Sequence, residues 1–227
     1  MNFAVIIYGP PGSGKGTQAN LLQDHYNLIH FDIGKYLEEY IFDKKNINNP
    51  QITEAINAFK KGALIDPTLV FKIIESKTYQ IEKSGSGLVF SGSARTLEEA
   101  EKLFPILDKL YNKKVFIFVL NIKPETSIDR NSKRVICREC GKIIINHLLK
   151  KSKFHLNYCP YCGGKFRTRV LDKPNIIRDR HKEYKNRTMP IIPYLKSKGY
   201  KVYTIGAENP PFKVFKKIKR IIDNNIK

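Results

Sequence analysis

Phe3-Ala4-Val5-Ile6-Ile7-Tyr8-Gly9-Pro10-Pro11-Gly12-Ser13-Gly14-Lys15-Gly16-Thr17 is the stretch from which the fold can be read. An unbroken apolar run of this length, ended by glycine and proline, predicts a strand buried on both faces, as in a parallel sheet. Gln18 to Tyr26 then continues in a helix-compatible pattern. Strand, glycine-rich turn and helix in that order make a phosphate-binding loop. Glycines that tolerate positive φ let several N–H groups converge on one point, and the helix N-terminus adds a favourable dipole. Lys15 supplies a mobile positive charge for β- and γ-phosphates. In the usual Gly-x4-Gly-Lys motif a Ser or Thr follows the lysine directly. Here Gly16 intervenes, and Thr17 brings the hydroxyl toward the metal one position later. Gly12, Ser13, Gly14, Lys15, Gly16 and Thr17 are therefore the candidate nucleotide-binding residues.

Working outward, the apolar runs Phe3–Tyr8, Leu28–Phe31, Gly87–Phe90, Val115–Leu120 and Lys201–Ile205 alternate with helix-compatible stretches. Such alternation predicts an α/β fold: a three-layer α/β/α core around a parallel five-stranded sheet, with ligands at the carboxyl ends of the strands. Gly9, Asp32, Ser91 and Asn121 fall at those ends. Two segments break the pattern. Residues 32–65 read as helical and run up to Gly62 and Pro67; residues 135–170 hold every cysteine and no long amphipathic pattern. The core is then expected over 1–31, 66–134 and 171–227.

With 227 residues, 41% of them hydrophobic, and no apolar run near the length of a membrane span, the chain reads as a globular protein with one core and small insertions. The N-terminal apolar stretch lacks a basic leader and runs straight into the glycine loop. It reads as a core strand, not a targeting signal, and a cytoplasmic location is expected. The formal charge of +20 raises the question of nucleic-acid binding. Lysines are spread along the whole chain among many Asn and Ile residues, so the charge reads as a diffuse solvated surface and nucleic acid is not the expected partner. The last helix, Phe212 to Ile226, sets Phe215, Ile218 and Ile222 on one side and is expected to pack on the core.

Cys137-x2-Cys140 and Cys159-x2-Cys162 are separated by eighteen residues, and each pair is followed by glycine. Two such knuckles can turn four thiolates toward one ion. The spacing predicts a tetrahedral, coordinatively closed and hence structural Zn²⁺ site. The other sets these cysteines could make are a pair of disulfides, which a cytosolic chain disfavours, and an iron–sulfur centre, which the cysteine set alone leaves open. His147 and His155 would exceed the ligand count of one tetrahedral ion and read as surface residues.

The Gly-Lys-Gly-Thr end of the loop, Arg95-Thr96, and Arg130, Arg134, Arg169 and Arg180 together resemble the adenylate kinase family of nucleoside monophosphate kinases. The resemblance runs through nearly the whole chain. It implies a monomer with three parts: the core, a monophosphate-binding flap over 32–65, and a zinc-bearing lid over 135–170. It also implies ATP with Mg²⁺ as co-substrate and AMP as the leading acceptor; CMP comes second because a carboxylate at Glu99 accepts from an exocyclic amine, which adenine and cytosine both carry. By resemblance, Arg95 holds the acceptor phosphate, Arg134, Arg169 and Arg180 clamp the transferring phosphate beside Lys15, and Arg130 lies over the ATP base. Arginine suits such work because its planar fork grips two oxygens and keeps its proton.

The acceptor-binding candidates carried over are Ile33, Gly34, Lys35, Glu38, Gly92, Arg95 and Glu99, and several depart from the family's pattern. The family's Asp-Gly-Phe-Pro-Arg, whose aspartate orders the magnesium water shell, is here Ser91-Gly92-Ser93-Ala94-Arg95. Asp172 is the first candidate for the missing carboxylate. Ile33 stands for a threonine, Glu38 for a phosphate-binding arginine whose charge Lys35 could supply, and Glu99 for a base-reading glutamine. These departures keep a second class in view, a zinc-ribbon nucleotide- or nucleic-acid-binding protein without catalysis.

Overall fold

The computed structural model of the protein describes residues 2–46, 49–145, 158–168 and 170–226. Arg169, His147 and His155, together with Lys150, Lys151 and Lys153 of the same segment, lie outside the described residues. Five parallel strands, β1 (Ala4–Tyr8), β2 (Ile29–Asp32), β3 (Leu88–Ser91), β4 (Val115–Asn121) and β8 (Val202–Gly206), form one sheet in the order β2-β3-β1-β4-β8. Four of them run one residue past the apolar stretch from which they were predicted, because the ladder continues through the first polar residue: Asp32 pairs with Ser91, and Asn121 with Gly206.

β1 is central, and its five residues are all buried, as a strand covered on both faces must be. Side chains alternate. Ala4, Ile6 and Tyr8 join the core of one face with Ile74, Leu103 and Leu195, while Val5 and Ile7 join the other with Leu22, Val214 and Ile218. That second face is covered by α1 (Lys15–Tyr26) and the C-terminal helix Pro211–Asp223, whose Phe215, Ile218 and Ile222 are buried as the sequence predicts. The chain leaves β1 toward the β2 edge and leaves β4 toward the β8 edge. A crevice therefore opens between their carboxyl ends, where ligands bind in open α/β sheets.

A helical arm follows β2: α2 (Ile33–Ile41), capped by the Asp32 side chain on Lys35 N, and α3 (Pro50–Lys61), capped by Asn49 and closed by Gly62 at φ +74°. Its Ile33, Leu37, Ile41 and Ile52 are continuous with the core of the first face. α4 (Pro67–Lys83), capped by Asp66, leads back to the sheet at β3. α5 (Leu97–Leu110) joins β3 to β4, and α6 (Pro124–Ser132) follows β4.

Next comes a small antiparallel sheet in the order β6-β5-β7, built from β5 (Arg134–Cys137), β6 (Ile143–Ile145) and β7 (Phe166–Arg167). The sequence reading did not include these strands, since runs of two to four residues carry too little periodicity. A 3₁₀ turn at Val170–Asp172 leads into α7 (Pro174–Glu183), a π turn at Tyr184–Thr188 and α8 (Ile191–Ser197). Among the described residues no helix is long and apolar enough to cross a membrane.

Ile7 is fully buried in β1 between α1 and the sheet's inner strands, so Ile7→Ala should cost about 2–5 kcal/mol by urea denaturation. Phe212 on the C-terminal helix is 61% exposed, and Phe212→Ala should stay within about 0.5 kcal/mol of the parent.

Candidate active site and metal centre

The glycine loop closes because two of its residues need no side chain. Gly12 sits at φ +74°, and a Cβ there would lie 2.6 Å from Asn131 Nδ2 and 3.0 Å from Ser127 O. Gly14, at φ +93°, is the N-cap of α1. Lys15 Nζ donates to Gly9 O at 2.8 Å and Pro10 O at 2.9 Å, so the ammonium spans the loop. The loop's back is fixed by residues that no motif marked. Ser127 Oγ donates to Pro11 O at 2.5 Å, and with its one proton spent there it accepts from His181 Nε2 at 2.6 Å. Asn131 Nδ2 donates to Ser127 O at 2.8 Å. Arg130 reaches over the loop, donating to Glu208 O at 3.0 Å and Gly12 O at 3.5 Å.

Burial holds the Lys15 pKa well below the ordinary lysine value, and the charges of Arg95, Arg180 and Arg134 push it further down, with Asp32 opposing. Residues far apart in sequence thus focus their positive fields on one ammonium. A polyanion would relieve that repulsion, which is the electrostatic demand of a phosphate site.

Two cavities meet here. One is walled by Gly9, Pro11, Lys15, Arg180 and Thr188; the other by Ile33, Gly34, Leu37, Ile65, Val70 and Glu99. Gly92 and Arg95 line both. Arg95 is braced for that position: its Nε donates to Gly92 O at 2.7 Å, and its own carbonyl accepts from Thr188 Oγ1, in the π turn, at 2.9 Å. Arg180 donates to Leu171 O at 3.4 Å.

Arg134 Nε donates to Asp172 Oδ2 at 2.9 Å while its terminal nitrogen holds Oδ1, a two-pronged pair that is largely buried. This corrects the sequence expectation for Asp172. Both of its oxygens are engaged by Arg134, and it is the arginine's partner, not a carboxylate turned to the loop.

On the acceptor side, Ile33, Gly34, Gly92, Arg95 and Glu99 face the second cavity, whereas Lys35 and Glu38 are not among its lining residues. Lys35 lies 3.8 Å from Glu39 and Glu38 lies 3.8 Å from Arg167 of β7. Glu99 is 2% exposed. Its Oε2 accepts from Arg95 N at 2.9 Å and its Oε1 from Thr96 Oγ1 at 3.1 Å, while Glu99 N donates to Thr96 Oγ1 at 3.2 Å. Thr96 thus caps α5, and Glu99 reaches back to the N–H one residue before the cap, a variant of the capping box. Burial raises the Glu99 pKa, against the opposing pull of the Arg95 N–H and the Thr96 hydroxyl. The apolar walls Leu37, Phe59, Leu64, Ile65 and Val70 were missed from sequence because they read as ordinary core residues.

The four cysteine sulfurs lie within 4.8 Å of one another, with Cys137–Cys162 at 3.4 Å and Cys140–Cys159 at 3.7 Å. A tetrahedral ion with Zn–S bonds of about 2.3 Å requires S···S edges of about 3.8 Å. The cysteines are free, which sets aside the disulfide pairing. Each knuckle turns on a glycine: Gly141 N donates to Cys137 O and Gly163 N to Cys159 O, both glycines in the left-handed region. N–H groups of Cys140 and Glu139 help lower the Cys137 thiol to about 7. The all-sulfur, four-coordinate donor set fits Zn²⁺ and leaves no position for chemistry.

With this geometry in place, comparison with known proteins is decisive. The adenylate kinase profile matches residues 7–200. The chain belongs to the adenylate kinase family. It is 32% identical over 222 residues to the adenylate kinase of Lactobacillus delbrueckii subsp. bulgaricus, covering 97% of this chain and 99% of that protein. It is 31% identical over 220 residues to the adenylate kinase of Archaeoglobus fulgidus (96% and 97% covered), and 30% over 204 residues to that of Caldicellulosiruptor saccharolyticus (90% and 92%). The resemblance read from the loop and the arginines therefore holds along the chain, and enzymes of this family use ATP with Mg²⁺.

Protein prepared without added metal is expected to carry about one zinc per chain and to lose thermal stability on chelation. Metal analysis with a melting scan checks this. Clearly substoichiometric zinc, or unchanged melting after complete metal removal, would count against a structural ion.

Proposed function

We propose that the protein is a nucleoside monophosphate kinase that catalyses ATP + AMP = 2 ADP by in-line transfer in an arginine-rich site. The observation that carries this reading is the shared wall of the two cavities: Arg95 borders both, beside the loop on which Lys15, Arg134 and Arg180 focus their charge. A donor polyphosphate on the loop and an acceptor phosphate at Arg95 would meet across that wall. Family membership supports the same assignment.

In this reading residues 12–17 cradle the ATP phosphates through backbone N–H groups, and Arg130 lies toward the base. Lys15, Arg134 and Arg180 neutralise charge spreading over the transferred group, and Arg169 would join them. Mg²⁺ carried with ATP would neutralise part of the phosphate charge, with the Thr17 hydroxyl on its side of the loop. The acceptor's phosphate oxygen is itself the nucleophile, so the chain need supply only position and charge. Residues 32–65 serve as the monophosphate flap and 135–170 as the zinc-bearing lid on a monomeric, cytoplasmic enzyme. Closure of both would exclude water that otherwise takes the phosphoryl group.

AMP is the leading acceptor and CMP the second. Glu99 is fixed in its cap at the edge of the acceptor cavity, and an ionised carboxylate there accepts from an exocyclic amine but repels a carbonyl. Uracil presents a carbonyl where adenine and cytosine present an amine. UMP should therefore turn over at least about tenfold less efficiently than AMP in kcat/KM. A panel of AMP, CMP, GMP and UMP with ATP tests this: preference for UMP would overturn the pocket, and no turnover with any would favour a non-catalytic binding protein.

Lys15→Ala, Arg134→Ala and Arg180→Ala should each lower kcat by about a hundredfold or more, the loss of several kcal/mol of transition-state stabilisation. Coupled assay of diphosphate formation measures it, and wild-type rates in both arginine variants would sink the assignment of roles.

A further inference from the structure

The ends of β2 and β3 carry a polar cluster that the loop and the arginines leave unexplained. Asp32 and Ser91 are Cα partners in the ladder, side by side at the carboxyl edge of the sheet. His30, two residues before Asp32, makes a 2.7 Å hydrogen bond through Nε2 to Ser91 Oγ and a 2.6 Å one through Nδ1 to Asn20 Oδ1 on α1. An amide oxygen only accepts, so Nδ1 carries the proton and Nε2 accepts from the Ser91 hydroxyl. With its proton fixed on His30, Ser91 Oγ keeps lone pairs for a further donor, but no charge.

Asp32 supplies the charge. Its Oδ1 accepts from Lys35 N at 3.2 Å and so caps α2. Its Oδ2 faces the other way, toward the loop: a Cβ built on Gly16 would lie 4.0 Å from it. Gly16 is the residue between Lys15 and Thr17, and the field of Asp32 reaches Lys15. The other carboxylates near the loop are committed or differently placed. Asp172 is taken by Arg134, Glu99 by its cap, and Asp129 by Lys133. Glu183 also lines the donor cavity, with a buried Oε2 that has no hydrogen-bond partner, but it stands on α7 and not at the strand ends.

We propose that Asp32, with Ser91 beside it, is the carboxylate that holds the water shell of the nucleotide-bound divalent cation, a duty moved by one strand from position 91. The chemistry of the pair fits: a carboxylate oxygen and a serine hydroxyl hydrogen-bonded to His30 are hard oxygen groups of the kind Mg²⁺ and Mn²⁺ prefer, acting through retained waters. The inference rests on the kinase reading above, and its test can fail separately from it.

The test is Mn²⁺ binding, followed by electron paramagnetic resonance, to the full-length protein saturated with a non-hydrolysable ATP analogue, beside the affinity for that analogue in EDTA. The variants are Asp32→Asn, Glu183→Gln and the exchange Asp32→Ser with Ser91→Asp. Asparagine and serine both remain good N-caps, so α2 keeps its start. Asp32→Asn should weaken Mn²⁺ binding by about tenfold or more while metal-free analogue binding changes less than about twofold, and the exchange should recover most of the loss. Unchanged Mn²⁺ affinity in Asp32→Asn, the loss appearing instead in Glu183→Gln, or equal weakening with and without metal would each overturn the proposal. Failure of the parent protein to bind the analogue would overturn the kinase reading instead.

Discussion

Concentrated positive charge around Lys15 is the constraint on which the rest of the structure depends. An ammonium and three guanidinium groups in one crevice repel one another, and burial makes the repulsion stronger by thinning the water between them. No local segment could hold them together. They are held because each is tied to a different rigid element: Lys15 to the start of α1, Arg95 to the turn after β3, Arg134 to β5, and Arg180 to α7. The sheet's apolar strands, buried on both faces, absorb the cost of that arrangement and fix the plane in which the charges meet.

Three of the cations are also braced by neutral carbonyl groups. Lys15 rests on carbonyls of its own loop, Arg95 on Gly92 O with its carbonyl held by Thr188, and Arg180 on Leu171 O. Carbonyl oxygens are weak enough partners to be exchanged for phosphate oxygens at little cost, whereas a carboxylate would compete with the ligand. Arg134 is paired with Asp172. That pair leaves one face of the guanidinium group's donors committed and orients the rest, and it joins β5 to the turn that leads into α7 and so to Arg180.

The sheet and the loop were legible because burial on both faces writes itself as continuous apolar runs, and because a tight turn into a helix needs glycine. The limits of legibility were equally physical. Short antiparallel strands such as Phe166–Arg167 have no period to detect. Ser127, Asn131 and His181 support the loop from helices distant in sequence, through hydrogen bonds that no spacing encodes. The placement of Asp172 could not be read either: a carboxylate near several arginines has more than one partner within chain reach, and only the fold decides which it meets. Lys35 and Glu38 show the same limit, since helix α2 turns them toward Glu39 and Arg167 and away from the cavity wall.

One strand joins the cysteine cluster to the phosphate site. Cys137 ends β5, three residues beyond Arg134, and pairs in the ladder with Phe166, while Ile136 pairs with Arg167. Fixing four sulfurs around one point therefore fixes the register of β5 against β7. It sets in one step where Arg134 faces Asp172 and where Arg167 approaches Glu38 on the helical arm. Among the described residues this three-stranded sheet has only the small apolar cluster of Ile144, Val135 and Phe166 beside the cysteines, too little to hold its register unaided. A closed four-cysteine centre is coordinatively inert, but its place in the chain makes the position of Arg134 depend on it.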